Sequence, residues 1–378
     1  MARAKLIELF KRSDDYVKSD NIHINGSDNN YPERLKLVIN NSITAKSCTN
    51  KLTDFLYGGG FELGQKIVNK KKKHTLNDLA LMACQDVAEQ YYFALHVNYD
   101  AEGVVNYLDV LPAEGVRKSK NDDLGYGGLI YYSKKWGEQT ENIFSQKNKT
   151  EAKYFYPYNP DINVINEQRN KDTPKGDLIE KVKNYRGQVL FVSCDKRSIY
   201  PLSLIDPVYN DCDTEYRIST LRNNKLRSGF IETTIVMMRD QSEDEDMITD
   251  NELKGLLGTE NQSNVLKVVV KTDGDEKLED ALHIKTVSAP LDKELFADWV
   301  ANIEDNIINA CKQIPKILVK SGDGALFGTN AESMEKAKEF YIEQTKRERK
   351  IIENAFATVL GIDNLKLIEI GQNGESNN

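Results

Sequence analysis

Residues 291–360 read LDKELFADWVANIEDNIINACKQIPKILVKSGDGALFGTNAESMEKAKEFYIEQTKRERKIIENAFATVL, and three successive segments within them set the architecture. In the first, Leu295, Trp299, Ile303, Ile307 and Cys311 recur at four-residue spacing, so they share one face of a helix that ends at Pro315. The last, Ala331 to Leu360, predicts the longest helix of the chain, with Glu332 to Lys336 and Glu343 to Arg347 placed as i,i+4 pairs. Between them lies SGDGALFG, where Gly322, Gly324 and Gly328 give an exposed loop its backbone freedom.

Upstream, Leu204 to about Arg227 predicts a helix with Ile205, Val208, Cys212, Tyr216, Ile218 and Leu221 facing inward. Its basic end, RNNKLR, suits the negative pole of a helix dipole. A compact insert follows: strands over 231–238 and 265–270, a short helix over 248–257, and the acidic run Glu243, Asp244, Glu245, Asp246. That run reads equally well as a solvated loop or as a docking surface for a basic partner. The order is helix, small α/β insert, helix, exposed loop, long helix.

The first half is α+β. Leu35, Val38, Ile39, Ile43, Leu52, Phe55 and Leu56 imply an amphipathic helix or helix pair over 31–57, stopped by Gly58-Gly59-Gly60. A further helix runs from Thr75, a plausible N-cap, to about Tyr91. From Tyr92 to Val192, short strands such as FALHVNYD, VNYLDVLP, GLIYYSKKW and QVLFVSC predict a mostly antiparallel sheet. The aromatic-rich YFYPYNPDINVIN is read as strand and loop.

With 51 basic and 59 acidic side chains the formal charge is −8, so no global positive field holds a phosphate backbone by counterion release. A plain DNA-binding protein is disfavoured. With Gly counted in and Tyr out, the apolar fraction is about 40% against a usual 45–50%, as an elongated or ring-forming subunit would show. No window approaches the roughly 18 apolar residues of a membrane span, and MARAKLIELFKR lacks a signal peptide's apolar stretch, so a soluble, cytosolic product is expected. The five cysteines (Cys48, Cys84, Cys194, Cys212, Cys311) lie far apart without a CxxC and read as reduced core residues.

Catalytic patterns are nearly missing. His23, His74, His96 and His283 are not paired at metal-ligand spacing, and neither HExxH nor GxSxG occurs, so no metal and no cofactor is expected. The two glycine clusters fit neither GxGxxG nor GxxxxGK[ST] and read as turns or hinges. Lys70 to Lys73 form the one basic run; without interleaved aromatics it reads as a solvated loop.

Four segments, in order, resemble the portal (head-to-tail connector) proteins of tailed bacteriophages: NNYPERLKLVINNSITAKSCTNKLTDFLYGGGFEL (29–63), GQVLFVSCDKRSIYPLSLIDPVYNDCDTEYRISTLRNNKLRSGF (187–230), GTENQSNVLKVVV (258–270) and IPKILVKSGDGALFGTNAESMEKAKEFYIEQTKRERKIIENAF (314–356). The resemblance implies a portal-like α+β subunit. Its mixed α/β wing would span 1–203 and 331–370, its stem helices 204–228 and 291–312, its small α/β clip 229–290, and its tunnel loop 313–330. Residues 371–378 would be a disordered tail, and a crown domain is reduced or missing.

It further implies a non-enzymatic ring, typically a dodecamer, at the capsid vertex of a virion assembled in the host bacterial cytoplasm. Double-stranded DNA would pass through it sequence-independently, driven by a terminase. A head-completion adaptor and the major capsid and scaffolding proteins would be its other partners, and no membrane is involved. Lys316, Lys320 and Asp323 would face the DNA channel, Gly322, Gly324 and Gly328 would hinge the loop, Glu243 to Asp246 would dock a partner, and Trp299 would lie at a subunit contact. Twelve copies would carry about −96 in formal charge, a wall that repels DNA and keeps its passage loose. The alternatives are another ring-forming virion adaptor, or an enzyme with a phosphate site at Gly322 to Gly328.

Overall fold

The structure, a computed structural model, describes residues 22–120, 128–134, 136, 152–227, 233–239, 265–270, 282–287, 293–320 and 331–371. The chain divides into two compact units, Met1–Cys212 with Asp305–Asn378, and Asp213–Glu304.

The larger unit opens with the expected helix pair, α1 (Tyr31–Asn41) and α2 (Ile43–Tyr57). Ser42 separates them with an extended backbone, and its Oγ accepts from the Ala45 N–H at 3.0 Å, capping α2. Gly58, at φ +58°, ends α2 in a conformation and at a place that admit no side chain: a Cβ would collide with the Ile368 carbonyl oxygen. The triplet is thus a turn. It leads into β1 (Gly60–Phe61), and then come β2 (Ile67–Asn69) and β3 (His74–Thr75). α3 (Leu76–Gln90) starts on Thr75 with a capping box: the Asp78 N–H donates to Thr75 Oγ1 at 3.2 Å and the Thr75 N–H to Asp78 Oδ2 at 2.8 Å. The Thr75 N–H and the Thr75 hydroxyl, both donating to Asp78 Oδ2 at 2.8 Å, hold the Asp78 carboxyl below its ordinary range.

β4 (Tyr92–Tyr99), β5 (Val105–Leu111), β6 (Val116–Lys118), β7 (Ile130–Tyr132) and β8 (Lys153–Pro157) come next, then helices α4 (Ile162–Asp172) and α5 (Leu178–Asn184) and strand β9 (Gln188–Ser193). The six strands form one sheet, ordered β5-β4-β9-β8-β7-β6, and of its described pairs only β8–β9 is parallel. The mostly antiparallel expectation holds. One reading fails: PDINVIN opens α4 and is not loop. Asp161 accepts from the Asn163 N–H at 2.8 Å as N-cap, and only Ile165, Gln168 and Arg169 are buried, so apolar periodicity is faint.

α6 (Tyr209–Arg227) follows a 3-10 turn over Asp206–Val208, and therefore starts later than Leu204. Ile205 and Cys212 are buried as expected, but Tyr216 and Leu221, expected inward, are exposed. In the smaller unit, β10 (Thr233–Arg239) lies between β11 (Val265–Val270), parallel to it, and β12 (Leu282–Val287), antiparallel to it. The sequence did not foretell β12; the helix expected over 248–257 lies outside the described residues. α7 (Lys293–Ala310), the short α8 (Lys316–Val319) and α9 (Ala331–Leu360) follow, and β13 (Leu367–Ile368) closes back on β1.

The core of the larger unit sits among α2, α3, α9 and the sheet. Phe55 meets Tyr341 edge-on at 4.9 Å, and Phe356 lies 5.4 Å from Phe61 and 6.4 Å from Phe93. Such ring pairs add about 0.5–1.5 kcal/mol each beyond area burial. On the sheet, Ala94, Leu111, Val116, Ile130, Phe155 and Val189 form one apolar cluster. All five cysteines are buried free thiols, as expected of core residues.

Candidate functional site

The expected channel loop joins α8 to α9, and what the structure describes is the elbow that leads into it. α7 buries Ile307 and Ile308, and Cys311 and Ile314 continue the buried set. Lys312 and Gln313 then take left-handed backbones, φ +61° and +54°, costing roughly 1–2 kcal/mol each for residues with a Cβ. Neighbouring contacts offset that strain. Lys312 Nζ donates to Glu348 Oε2 at 2.6 Å and to the Gln344 carbonyl at 2.9 Å, and Tyr341 donates to the Cys311 carbonyl at 3.0 Å. All three partners stand on α9.

Glu348 is almost wholly buried and holds a second bond: Tyr91 donates its hydroxyl to Oε1 at 2.7 Å. Burial and the Glu348 carboxylate push the Tyr91 hydroxyl pKa up. Beneath the elbow, the Cys311 thiol hydrogen-bonds that of Cys48, with Cys212 beside them, and the Cys311 pKa is raised well above the ordinary thiol value by that bond and by burial. These are inert thiols.

The named channel residues divide. Lys316 is exposed on α8 and paired with Asp305 Oδ1 at 2.5 Å, a partner that sequence spacing did not suggest. Lys320 is exposed at the end of α8. Asp323, Gly322, Gly324 and Gly328 lie outside the described residues, as do Glu243, Asp244, Glu245 and Asp246. Trp299 is 52% exposed on α7, so it is no core residue of its own subunit.

The structure thus brings together Lys312, Gln344 and Glu348, which reasoning from sequence missed. The only local signal was the interruption of an apolar stripe at ACKQIP. Lys70 to Lys73 are solvated, as expected, but folding supplies the aromatic their sequence lacks. Lys71 lies over Tyr107 at 5.9 Å, and Lys72 pairs with the buried Asp109 at 2.6 Å. Among the described residues no group of three or more His, Cys, Asp or Glu could hold a metal, and no helix is long and apolar enough to cross a membrane.

No family model matches the sequence, and no curated protein does either. Solved structures do match. A chain in the neck of the empty gene transfer agent particle superposes at TM-score 0.51 with 11% identity, over 89% of this chain and 83% of that one. The fold occurs in a virion neck. A chain in the virion of the native gene transfer agent particle gives TM-score 0.50 and 12% identity over 86% and 80%. An HK97 family phage portal protein from Corynebacterium diphtheriae gives 0.41 and 9% over 88% and 93%.

Proposed function

We propose that the chain is a portal-type subunit, forming a ring at a capsid vertex through which double-stranded DNA is packaged and later ejected. The observation that carries this reading is the fold shared with a virion-neck chain over 89% of the present chain. The four portal-like segments read from the sequence point the same way.

On this reading the helical and sheet body of 1–203 and 331–370 is the wing. α6 and α7 are stem helices, the three-stranded sheet of β10 to β12 belongs to the clip, and 313–330 carry the tunnel loop. The formal charge of −8 per subunit suits a wall that repels DNA, since a lysine-lined channel would hold the duplex by counterion release. Lys316, held by Asp305, and Lys320 then supply transient, sequence-independent phosphate contacts, with Gly322, Gly324 and Gly328 letting the loop follow the groove. Glu243 to Asp246 present charge to a basic face of terminase or adaptor. Lys312, Gln344 and Glu348 keep the loop's base still while its tip moves. No catalytic group is assigned; the terminase supplies the hydrolysis.

Electron microscopy of the purified protein tests the reading. Rings with a central hole are expected, and compact single subunits at every concentration would remove it.

A further inference from the structure

β9 is paired along its full length on one side only. Against β4 its register runs from Gln188, opposite Val97, to Ser193, opposite Tyr92. Against β8 it covers only Gln188 and Val189; the Tyr158 N–H then donates to the Val189 carbonyl at 3.1 Å and the chain leaves for α4. The Cys194 N–H donates to the Tyr91 carbonyl at 3.1 Å, so the alternation of an antiparallel ladder turns the backbone groups of Leu190 and Val192 to β4. Those of Phe191 and Ser193 turn away from it. Beyond Val189 no strand among the described residues meets that side of β9.

A slot of about 440 Å³ opens along this free edge, and its two walls differ. Val192 pairs with Phe93, whose ring stacks on Phe356 of α9, and on that face the slot meets Ile351 and Ala355 of α9. Phe191 pairs with Ala94 and packs on the apolar cluster of the opposite face, where Lys118 rests its Nζ 5.1 Å from the Phe191 ring centre. Lys118 is fixed there: its N–H donates to the Tyr200 hydroxyl at 2.7 Å and its carbonyl accepts from the His23 N–H at 2.9 Å. The side chain is half-buried, and burial lowers its pKa with no acid to offset that cost. Lys196 is the other charge of the lining, which holds no carboxylate.

An unpaired strand edge is a template for an extended backbone, and a desolvated ammonium without a counter-ion is a place for a carboxylate. We propose that β9 takes an added strand here: an extended acidic and apolar peptide of a partner protein pairs with Phe191 and Ser193, presents carboxylates to Lys118 and Lys196, and lays its alternate, apolar side chains on Ile351 and Ala355. The two-residue period of a strand lets one short segment satisfy both walls. The edge from Leu190 to Ser193 spans about 13 Å, the length of about four extended residues. The inference does not depend on the ring reading.

The probe is a fluorescein-labelled heptapeptide of alternating aspartate and valine, titrated into the full-length protein and followed by anisotropy. Hydrogen exchange at Phe191 and Ser193 is read in parallel by mass spectrometry with electron-transfer fragmentation. Saturable binding is expected, with exchange at both amides slowed in the bound state. Lys118→Glu with Lys196→Glu should weaken binding by at least about tenfold and should favour the peptide in which lysine replaces aspartate, a gain that a misfolded slot would not show. The proposal is overturned by an absence of saturable binding, by exchange at Phe191 and Ser193 that the peptide leaves unchanged, or by an affinity indifferent to the charge reversal. Full displacement by hexanoate with no slowing of exchange would make the slot a small-anion site and overturn it too. So would exchange at both amides already slow before peptide is added, because the chain itself would then cover the edge.

Discussion

Lys312 donates to Glu348 at 2.6 Å, tying the chain just beyond α7 to the second half of α9. Thirty-six residues separate the two in sequence, and the segment between them contains the expected channel loop. The pair therefore fixes the chain at the elbow between α7 and α8. Its partner bond from Tyr91 extends the same clamp to the end of α3.

Because Glu348 is buried, Glu348→Ala would leave the Tyr91 hydroxyl without this acceptor and the Lys312 ammonium with the Gln344 carbonyl but without its carboxylate partner. Losing one partner of a buried pair costs about 3–5 kcal/mol. The urea midpoint should fall accordingly, and Glu348→Gln, which still accepts from Tyr91, should lose less. Equal midpoints for parent and Glu348→Ala would show that the elbow is held by packing alone.

Arg117 makes a second buried anchor. It is fully buried and donates to Asn29 Oδ1 at 2.6 Å and to the Asn29 and Glu114 carbonyls at 2.8 Å, while its guanidinium sits 5.2 Å from the Trp136 ring. Arg117→Leu would remove the guanidinium donor from the Asn29 and Glu114 carbonyls, at about 1–3 kcal/mol for each left unsatisfied, while Asn29 Oδ1 keeps the Asn25 N–H at 3.0 Å. Chemical denaturation should show a loss of at least about 2 kcal/mol, with Trp136 emission altered in the native state. A fully native emission spectrum and an unchanged midpoint would contradict this.

His96 predicts a pH dependence. Its Nε2 meets the Arg186 carbonyl at 2.9 Å, so that nitrogen carries a proton and donates, and the ring packs 4.6 Å from Phe155 and 5.4 Å from Tyr107. Burial lowers its pKa from the ordinary 6.5; the Arg186 bond and Asp109 oppose that shift, and Lys71 and Lys72 add to it. The unfolded chain therefore binds more protons as the solution is acidified. Stability from His96 is fully present above pH 6.5 and is lost as pH falls below that value through the lower folded pKa. His96→Gln should flatten the fall of the urea midpoint as pH drops below 6.5, and a slope identical to the parent's would rule His96 out as the cause.

Trp299 separates assembly from folding. As an exposed aromatic on α7, its truncation should leave the subunit's own stability within about 0.5 kcal/mol, the usual range for surface changes. If it lies at a subunit contact, Trp299→Ala should lower the concentration range over which rings survive on dilution. Rings as dilution-resistant as the parent's would remove Trp299 from the interface.

What could be read in the sequence was what repeats locally. The bounds of α9 and the start of α3 at Thr75 were legible because apolar spacing and a capping box act within four residues. The strand at Val265–Val270 was legible as a short apolar run. α4 escaped because its buried face is mostly Gln168 and Arg169, which carry no apolar signal. Tyr216 and Leu221 followed a helical stripe correctly, but periodicity reports a face without saying what covers it. The elbow was least legible: Tyr91 and Glu348 meet across 257 residues, a distance over which pattern carries nothing.

The central claim, a ring-forming portal-type subunit, is tested most directly by native mass spectrometry of the full chain. The account predicts a closed oligomer, about twelve times the 43.0 kDa subunit, that persists on moderate dilution. A monomer or dimer as the sole species across the concentrations at which the protein is soluble would contradict it.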